Sequence, residues 1–498
     1  MQALSYTIPP PTGGLNDRDS VDVMRPEDAL RLTNIFPDNG VVKLRNGYRV
    51  HATGCGGSVQ TLIEWAGASG SRKLIAAANG KLWDVTTYNA AATELASGFS
   101  VNYWQGVVFN NTLILVNGTD QPQQYAGSTV SDATYTGVTD NNLISVNVYK
   151  SRLYFVEKDS TSIWYGSVDA ITGSLTELDV GGVLKKGGYV IWAGSMSRDT
   201  GAGAQDLLII ASNLGEILAY SGSYPGDTNF TLVGHYFFPL VLGRRAFVNV
   251  GSDLAVITQG GIIPLSEGIK DNQTGENYYS ITDKIRTSFR SSVAMYKSNT
   301  GWEAKNYPAG DFLLVNVPTA SNSTAYQYIL NTRLGSWTKF TGWNGICWSL
   351  LNENLYFGAS DGKVYQADYG ANDNGSAIPV DIKTAFNYCD DRAKIKQFTL
   401  AKPLVLGDSS TMFYMDVDVD YSDKPLSSSV LTTGSSGSAW DSAVWDSAPW
   451  DVSFTPNLNW YAVSGLGRCV SIRIQGLFKN APFSLSAIQL TYTPGGYI

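Results

Sequence analysis

The chain has 498 residues, with 35 Lys or Arg against 43 Asp or Glu, a net charge of −8; it has no global excess of positive charge with which to grip nucleic acid phosphates. Charged residues make up only 16%, while 51 Gly and 28 Tyr suit many short strands joined by tight turns. At 43% hydrophobic residues the chain can bury a large core, which excludes disorder over most of its length.

The opening MQALSYTIPPPTGG has no basic stretch and no apolar run, so no secretory signal is read there. Pro26 to Leu32 reads as a short helix, with proline at its first position and Glu27 and Asp28 where the helix dipole favours acids. Asp38-Asn39-Gly40 then supplies a tight turn between Ile35-Phe36 and Val41 to Leu44.

From about residue 60 one unit recurs: an apolar strand, a Gly/Asn/Asp turn, and a second strand that often carries an aromatic. The apolar strands begin at Leu74, Leu113, Leu153, Leu207, Leu254, Phe312 and Leu355. Spacings of roughly 40 to 60 residues with several strands per unit are the signature of a β-propeller. A single unit cannot bury both faces of its sheet, and stacking units around an axis does so. Asn79-Gly80 and Asp361-Gly362 are expected to be tight hairpins with glycine at positive φ.

Beyond about residue 372 strands persist without the repeat. The expected fold class is therefore all-β: a propeller over 56–372, with a β-sandwich-like or jelly-roll-like module over 373–498 and an N-terminal segment, 1–55, of which residues 1–50 are expected to complete that module. Asp416, Asp418 and Asp420 alternate with Val417, Val419 and Tyr421, which puts three carboxylates on one strand face. That face reads as a cation site, as a solvated surface or as the lining of an aqueous lumen. Trp440, Trp445 and Trp450 each precede an Asp at five-residue spacing. They suit stacking on sugars or bases, or capping their own sheet or packing at a subunit interface, the latter two because three tryptophans left in water would form an aggregation patch.

The chemistry-bearing residues are sparse. The two histidines, His51 and His235, lie in no metal or nucleophile motif, and no phosphate-binding glycine loop occurs. The four cysteines are scattered without a CxxC pair and read as free, buried thiols. No cofactor and no metal are expected, and no apolar run is long enough for a membrane helix.

Gly13, Gly14, Leu15 and Asn16, then Asp28 and Asn34-Ile35-Phe36-Pro37, then Arg45-Asn46-Gly47-Tyr48 resemble the opening of the tail nozzle proteins of short-tailed bacteriophages. These are also called tail tubular protein B or packaged-DNA stabilisation proteins. The Trp-Asp run and the ending Thr491 to Gly496 are similar to the same family. The resemblance implies a homohexameric ring at the distal end of a phage tail. That ring docks on the adaptor ring below the portal, carries fibres or a tip protein, and passes double-stranded DNA without reading its sequence. It further implies assembly in the host cytoplasm and residence in the virion, as a structural protein and not an enzyme. An acidic chain suits a conduit that DNA slides through. Two other readings stand beside it: a propeller glycosidase acting on host surface polysaccharide, and a monomeric propeller that serves as a binding scaffold.

Overall fold

The computed structural model describes residues 3–199, 204–251, 253–270, 279–407, 412–425, 431–432, 455–456 and 459–497. It is an all-β protein. Among the described residues the α-helices are Leu265–Lys270 and Arg286–Tyr296, and no helix is long and apolar enough to cross a membrane.

Seven antiparallel sheets follow one another along the chain. The first contains Thr61–Ala66, Arg72–Ala78, Lys81–Asp84 and Thr93–Ser97; the second runs from Gln105–Phe109 to Val130–Asp132. The third runs from Leu143–Tyr149 to Thr176–Asp179, and the fourth from Val190–Asp199 to Thr231–Phe237. The fifth has three strands, Phe247–Val250, Asp253–Thr258 and Gly261–Pro264. The sixth is Glu303–Tyr307, Phe312–Ala320, Thr324–Asn331 and Ser336–Phe340. The seventh is Cys347–Leu351, Asn354–Gly358 and Val364–Ala367. The opening strands of successive sheets lie side by side, with Val190–Asp199 reaching the second strand of the fifth sheet, and Cys347–Leu351 returns to Thr61–Ala66. The seven sheets are thus the blades of a closed propeller.

Closure comes from the N-terminal segment. Tyr48–Thr53 pairs antiparallel with Val364–Ala367, Tyr365 opposite Val50 and Ala367 opposite Tyr48, and completes the seventh blade. The segment 1–55 is therefore divided, its last strand belonging to the propeller. The pairing covers the edge that a linear array of blades would leave open.

The blades pack through separate apolar layers. Trp65, Ile75 and Leu82 of the first blade meet Leu113, Leu115 and Tyr125 of the second. Ile114 and Val116 meet Val146 and Phe155 of the third. Alternate residues of each central strand thus face opposite neighbours, so Leu113 to Val116 are all buried. The helix Arg286–Tyr296 seats Phe289 and Val293 in the layer that joins blades four, five and six.

The second body is a β-sandwich made from both ends of the chain. One sheet joins Ile35–Asp38 and Val41–Leu44 to Phe483–Tyr497, Lys394–Gly407 and Tyr461–Gly467, with Leu4–Ile8 alongside Phe483–Tyr497. The other joins Asp28–Thr33, Ile378–Thr384, Val470–Phe478 and Met412–Val419. Ile35, Val42, Ile382, Phe398, Val405, Ile472 and Leu485 fill the space between them. The second sheet does not stop at the sandwich. Gly14–Leu15 and Asp28–Thr33 pair parallel with Ser336–Phe340, so one continuous sheet crosses from the sixth blade into the sandwich.

The helix expected from Pro26 is a correction. Asp28–Thr33 is a strand, paired with Ile378–Thr384. Its acids and proline favour a helix start, but Ala29 and Leu32 gain burial in the sandwich core only as a strand, and tertiary pairing overrides local propensity. The turn at Asp38-Asn39-Gly40 forms as expected, with Gly40 at φ 71° between paired strands. Asn79 and Gly80 have φ 54° and 68°, a pair of values that matches the hairpin twist, and Gly362 has φ 76°.

Candidate functional site

The N-terminal residues that carry the resemblance meet at the seam between propeller and sandwich. A Cβ on Gly13 would lie 2.4 Å from Asp28 Oδ1, and one on Gly14, at φ 81°, would lie 2.6 Å from the Trp337 carbonyl. Only a backbone without side chains passes between these two strands. Leu15 then enters the propeller's apolar layer. Asn16 Nδ2 donates to Asp28 Oδ2 at 2.8 Å, and Lys284 Nζ donates to Asp28 Oδ1 and to the Gly13 carbonyl, both at 2.6 Å. Asp28 is thereby held from both bodies, from the N-terminal strand and from the segment after the fifth blade.

The same seam continues at Arg45. Its guanidinium donates to Asp373 Oδ1 and Oδ2 at 2.8 and 2.7 Å, to Asn34 Oδ1 at 2.9 Å, and to the Asn46 and Thr341 carbonyls at 2.8 and 2.6 Å. All five of its N–H donors are used. Its carbon lies 5.0 Å from the Trp343 ring centre, a cation–π contact. Gly47 is pressed against Asn372, whose carbonyl oxygen would stand 1.7 Å from an added Cβ. The Pro37 carbonyl accepts from Asn331 Nδ2 at 2.8 Å. These contacts fasten the two bodies together.

The three aspartates do not form a row on one open face. Asp418 is buried and its carboxylate pairs with Lys383 Nζ at 2.7 Å. Lys383 also donates to Asp423 Oδ1 and to the Ser422 carbonyl, both at 3.0 Å. Asp416 stands opposite Arg473 in the strand register. Asp420 lies beyond the strand end at Val419, at φ 47°, and accepts from the Arg468 N–H at 2.7 Å. The alternation ends with the strand at Val419, and the turn at Asp420 brings Asp423 back to Lys383. Among the described residues no cluster of three or more His, Cys, Asp or Glu is arranged to hold a metal ion. Trp440, Trp445 and Trp450 lie outside the described residues.

Both histidines are engaged. His51 Nε2 donates to the Val85 carbonyl at 3.0 Å, and burial pushes its pKa below the ordinary value. His235 Nε2 meets the fully buried Glu216 carboxylate at 2.7 Å. Glu216 also accepts from the Lys185 and Lys186 N–H groups, which pins the loop before the fourth blade. All four cysteines are free and buried.

Sequence reasoning missed the propeller axis. The connection into the fifth blade drives Arg244 and Arg245 across one end of it. Arg244 donates to the Tyr103, Asn117 and Ile144 carbonyls at 2.9, 3.4 and 3.1 Å. Arg245 donates to the Gln60 and Trp104 carbonyls and to Thr61 Oγ1 at 2.9, 2.8 and 2.8 Å. Two adjacent side chains thus bind the first three blades together. Behind them the axis holds a cavity of about 460 Å³. Two consecutive arginines carry no motif signal, and only the fold gives them a common target.

No family model matches the chain, and no curated protein matches it. Among solved structures it is similar to the computationally designed Ika8 protein, at 10% identity over 68% of this chain and 96% of that one, with a TM-score of 0.35. It is also similar to the extracellular domain of the putative one component system BT4673 from B. thetaiotaomicron, at 11% identity over 86% of this chain and 61% of that one, TM-score 0.42. YCF48 from Cyanidioschyzon merolae matches at 10% identity over 65% of this chain and 96% of that one, TM-score 0.39. Likenesses this weak leave the fold resting on the strand pairings themselves.

Proposed function

We propose that the chain is a structural virion protein, the tail nozzle of a short-tailed phage. In this reading it assembles as a homohexameric ring, docks on the adaptor ring below the portal, carries fibres or a tip protein, and conducts double-stranded DNA during ejection. The protein is made in the host cytoplasm and acts in the virion, without catalysis. The observation that carries the reading is the convergence of Gly13, Gly14, Asn16, Asp28, Pro37 and Gly47 on one seam. A motif spent on fastening a propeller to a sandwich is what a mechanical part needs.

The propeller axis is not the conduit in this proposal. A cavity of about 460 Å³ behind two arginines has no room for a duplex whose major groove alone is about 12 Å wide. DNA passes between subunits, and the ring is required for function. Negative-stain imaging and mass measurement of the purified full-length protein test this. Six-fold rings of six chains are expected. A monomer at every concentration overturns the nozzle and leaves the scaffold reading, and release of sugar from host polysaccharide by the pure protein replaces it with the glycosidase.

A further inference from the structure

The axial cavity is built with unbalanced charge. Arg244 and Arg245 direct their hydrogen bonds to neutral carbonyl and hydroxyl oxygens, which satisfy the donors without neutralising the cations. The nearest carboxylate, Glu303, has Oε2 3.9 Å from Arg245 Nη1, too long for a hydrogen bond, and that oxygen has no hydrogen-bond partner. Glu303 is buried, and burial pushes its carboxyl above the ordinary carboxylate range. Lys305, two residues along the same strand, lines the cavity and has no ion-pair partner among the described residues. Glu64, the other carboxylate on the wall, is already paired with Arg72 at 2.7 Å. The buried Gln105 Nε2, a donor on the same wall, lacks an acceptor.

Beside the unpartnered Glu303 oxygen, this space thus holds, among the described residues, an unmet donor in Gln105 and an unpaired cation in Lys305, in a protein of net charge −8. Trp192 and Phe247 line the cavity as a stacked pair, with ring centres 4.2 Å apart and planes 9° from parallel. Asn249 on the lining is exposed, so the space opens to solvent there. The volume falls within the range of small-molecule sites, about 300–1,000 Å³.

We propose that the propeller axis binds a small organic anion, a carboxylate or phosphate monoester borne on a ring of monosaccharide size. The anionic group sits toward Lys305 and the Arg244–Arg245 pair, and the ring lies against Trp192 and Phe247. An aromatic pair gives a ring ligand an apolar surface to rest on, and charge-assisted donors hold its oxyanion.

The test is calorimetric titration of the full-length protein with D-glucuronate, glucose 6-phosphate and glucose. At least one of the two anions is expected to bind at one site per chain, with glucose at least tenfold weaker; whichever anion is tighter distinguishes a carboxylate ligand from a phosphate one. Lys305→Gln is expected to weaken the anion at least tenfold with an unchanged melting temperature, and Lys305→Arg to retain it. No heat from either anion, glucose binding as tightly as they do, or unchanged binding by Lys305→Gln each overturns the proposal. The outcome is independent of whether the chain forms rings.

Discussion

Arg45 and Asp373, 328 residues apart, form a bidentate ion pair in which the two side chains are 1% and 7% exposed. One partner enters the propeller from the N-terminal side and the other leaves it, so the pair closes the fold at the point where both chain ends cross. Buried charges tolerate the loss of one partner poorly, because the other is left desolvated and alone.

Arg45→Ala or Asp373→Ala is therefore expected to cost about 3–5 kcal/mol in chemical denaturation. Arg45→Lys does not rescue it, since an ammonium cannot serve a carboxylate, an amide and two carbonyls in one plane. The double substitution Arg45→Met with Asp373→Leu should cost less than the sum of the two alanine variants. Additive losses would show that the pair is not coupled.

Two glycines separate close approach from conformational freedom. Gly47→Ala must displace the Asn372 carbonyl, whereas Gly40→Ala meets open space and only the strain of φ 71°. Gly47→Ala is expected to lose about 1–3 kcal/mol and Gly40→Ala about 1 kcal/mol. Melting temperatures in the reverse order would place the seam contact elsewhere.

Burial holds His51 neutral, with its pKa below the ordinary value and Nδ1 without a hydrogen-bond partner. The unfolded chain takes up this proton near pH 6.5 and the folded chain only at lower pH. Between those values the unfolded state binds more protons, so stability is fully present above about pH 6.5 and declines as the pH falls. The stability difference between the wild type and His51→Gln should shrink from pH 7.5 to 5. A difference constant over that range would remove the assignment.

Asp418 is expected to be intolerant of charge reversal. Asp418→Lys would face two ammonium groups across the 2.7 Å now spanned by the ion pair with Lys383, and should prevent the sandwich from folding. Asp418→Asn keeps the shape and leaves Lys383 with Asp423, at a cost of at most about 3 kcal/mol. Soluble, protease-resistant Asp418→Lys protein would return this residue to an open face.

A chain truncated before Cys55 lacks Tyr48–Thr53 and uncovers the edge of Val364–Ala367. Exposed edges template pairing with other chains. Size-exclusion chromatography is expected to show aggregated protein, which a peptide spanning 46–55 should reduce; a monodisperse truncated propeller would contradict the closure.

The repeat was legible because central blade strands are buried on both faces, which writes them as unbroken apolar runs such as Leu254 to Ile257. What stayed hidden had no local signature. Lys150-Ser151 and Asn352-Glu353 adopt paired positive φ values in hairpin turns without glycine, so composition did not mark them. Asp28–Thr33 became a strand because its partners lie more than 300 residues away at Ile378–Thr384. Arg244, Arg245 and Glu303 acquire their relation only once the blades have closed around them.

Closure by an early strand also sets a clock. Tyr48–Thr53 emerges from the ribosome long before Val364–Ala367, its partner in the last blade. At about 5–20 residues per second, the gap corresponds to roughly 15–60 s of synthesis. The sandwich waits longer still, since Leu4–Ile8 pairs with Phe483–Tyr497 at the far end of the chain. Blades one to six can form as they are made, but the ring and its companion body join only once Phe483–Tyr497 has been synthesised. During that interval the nascent chain presents two unpaired β-edges, and any chaperone that shields them acts on the ribosome-bound protein.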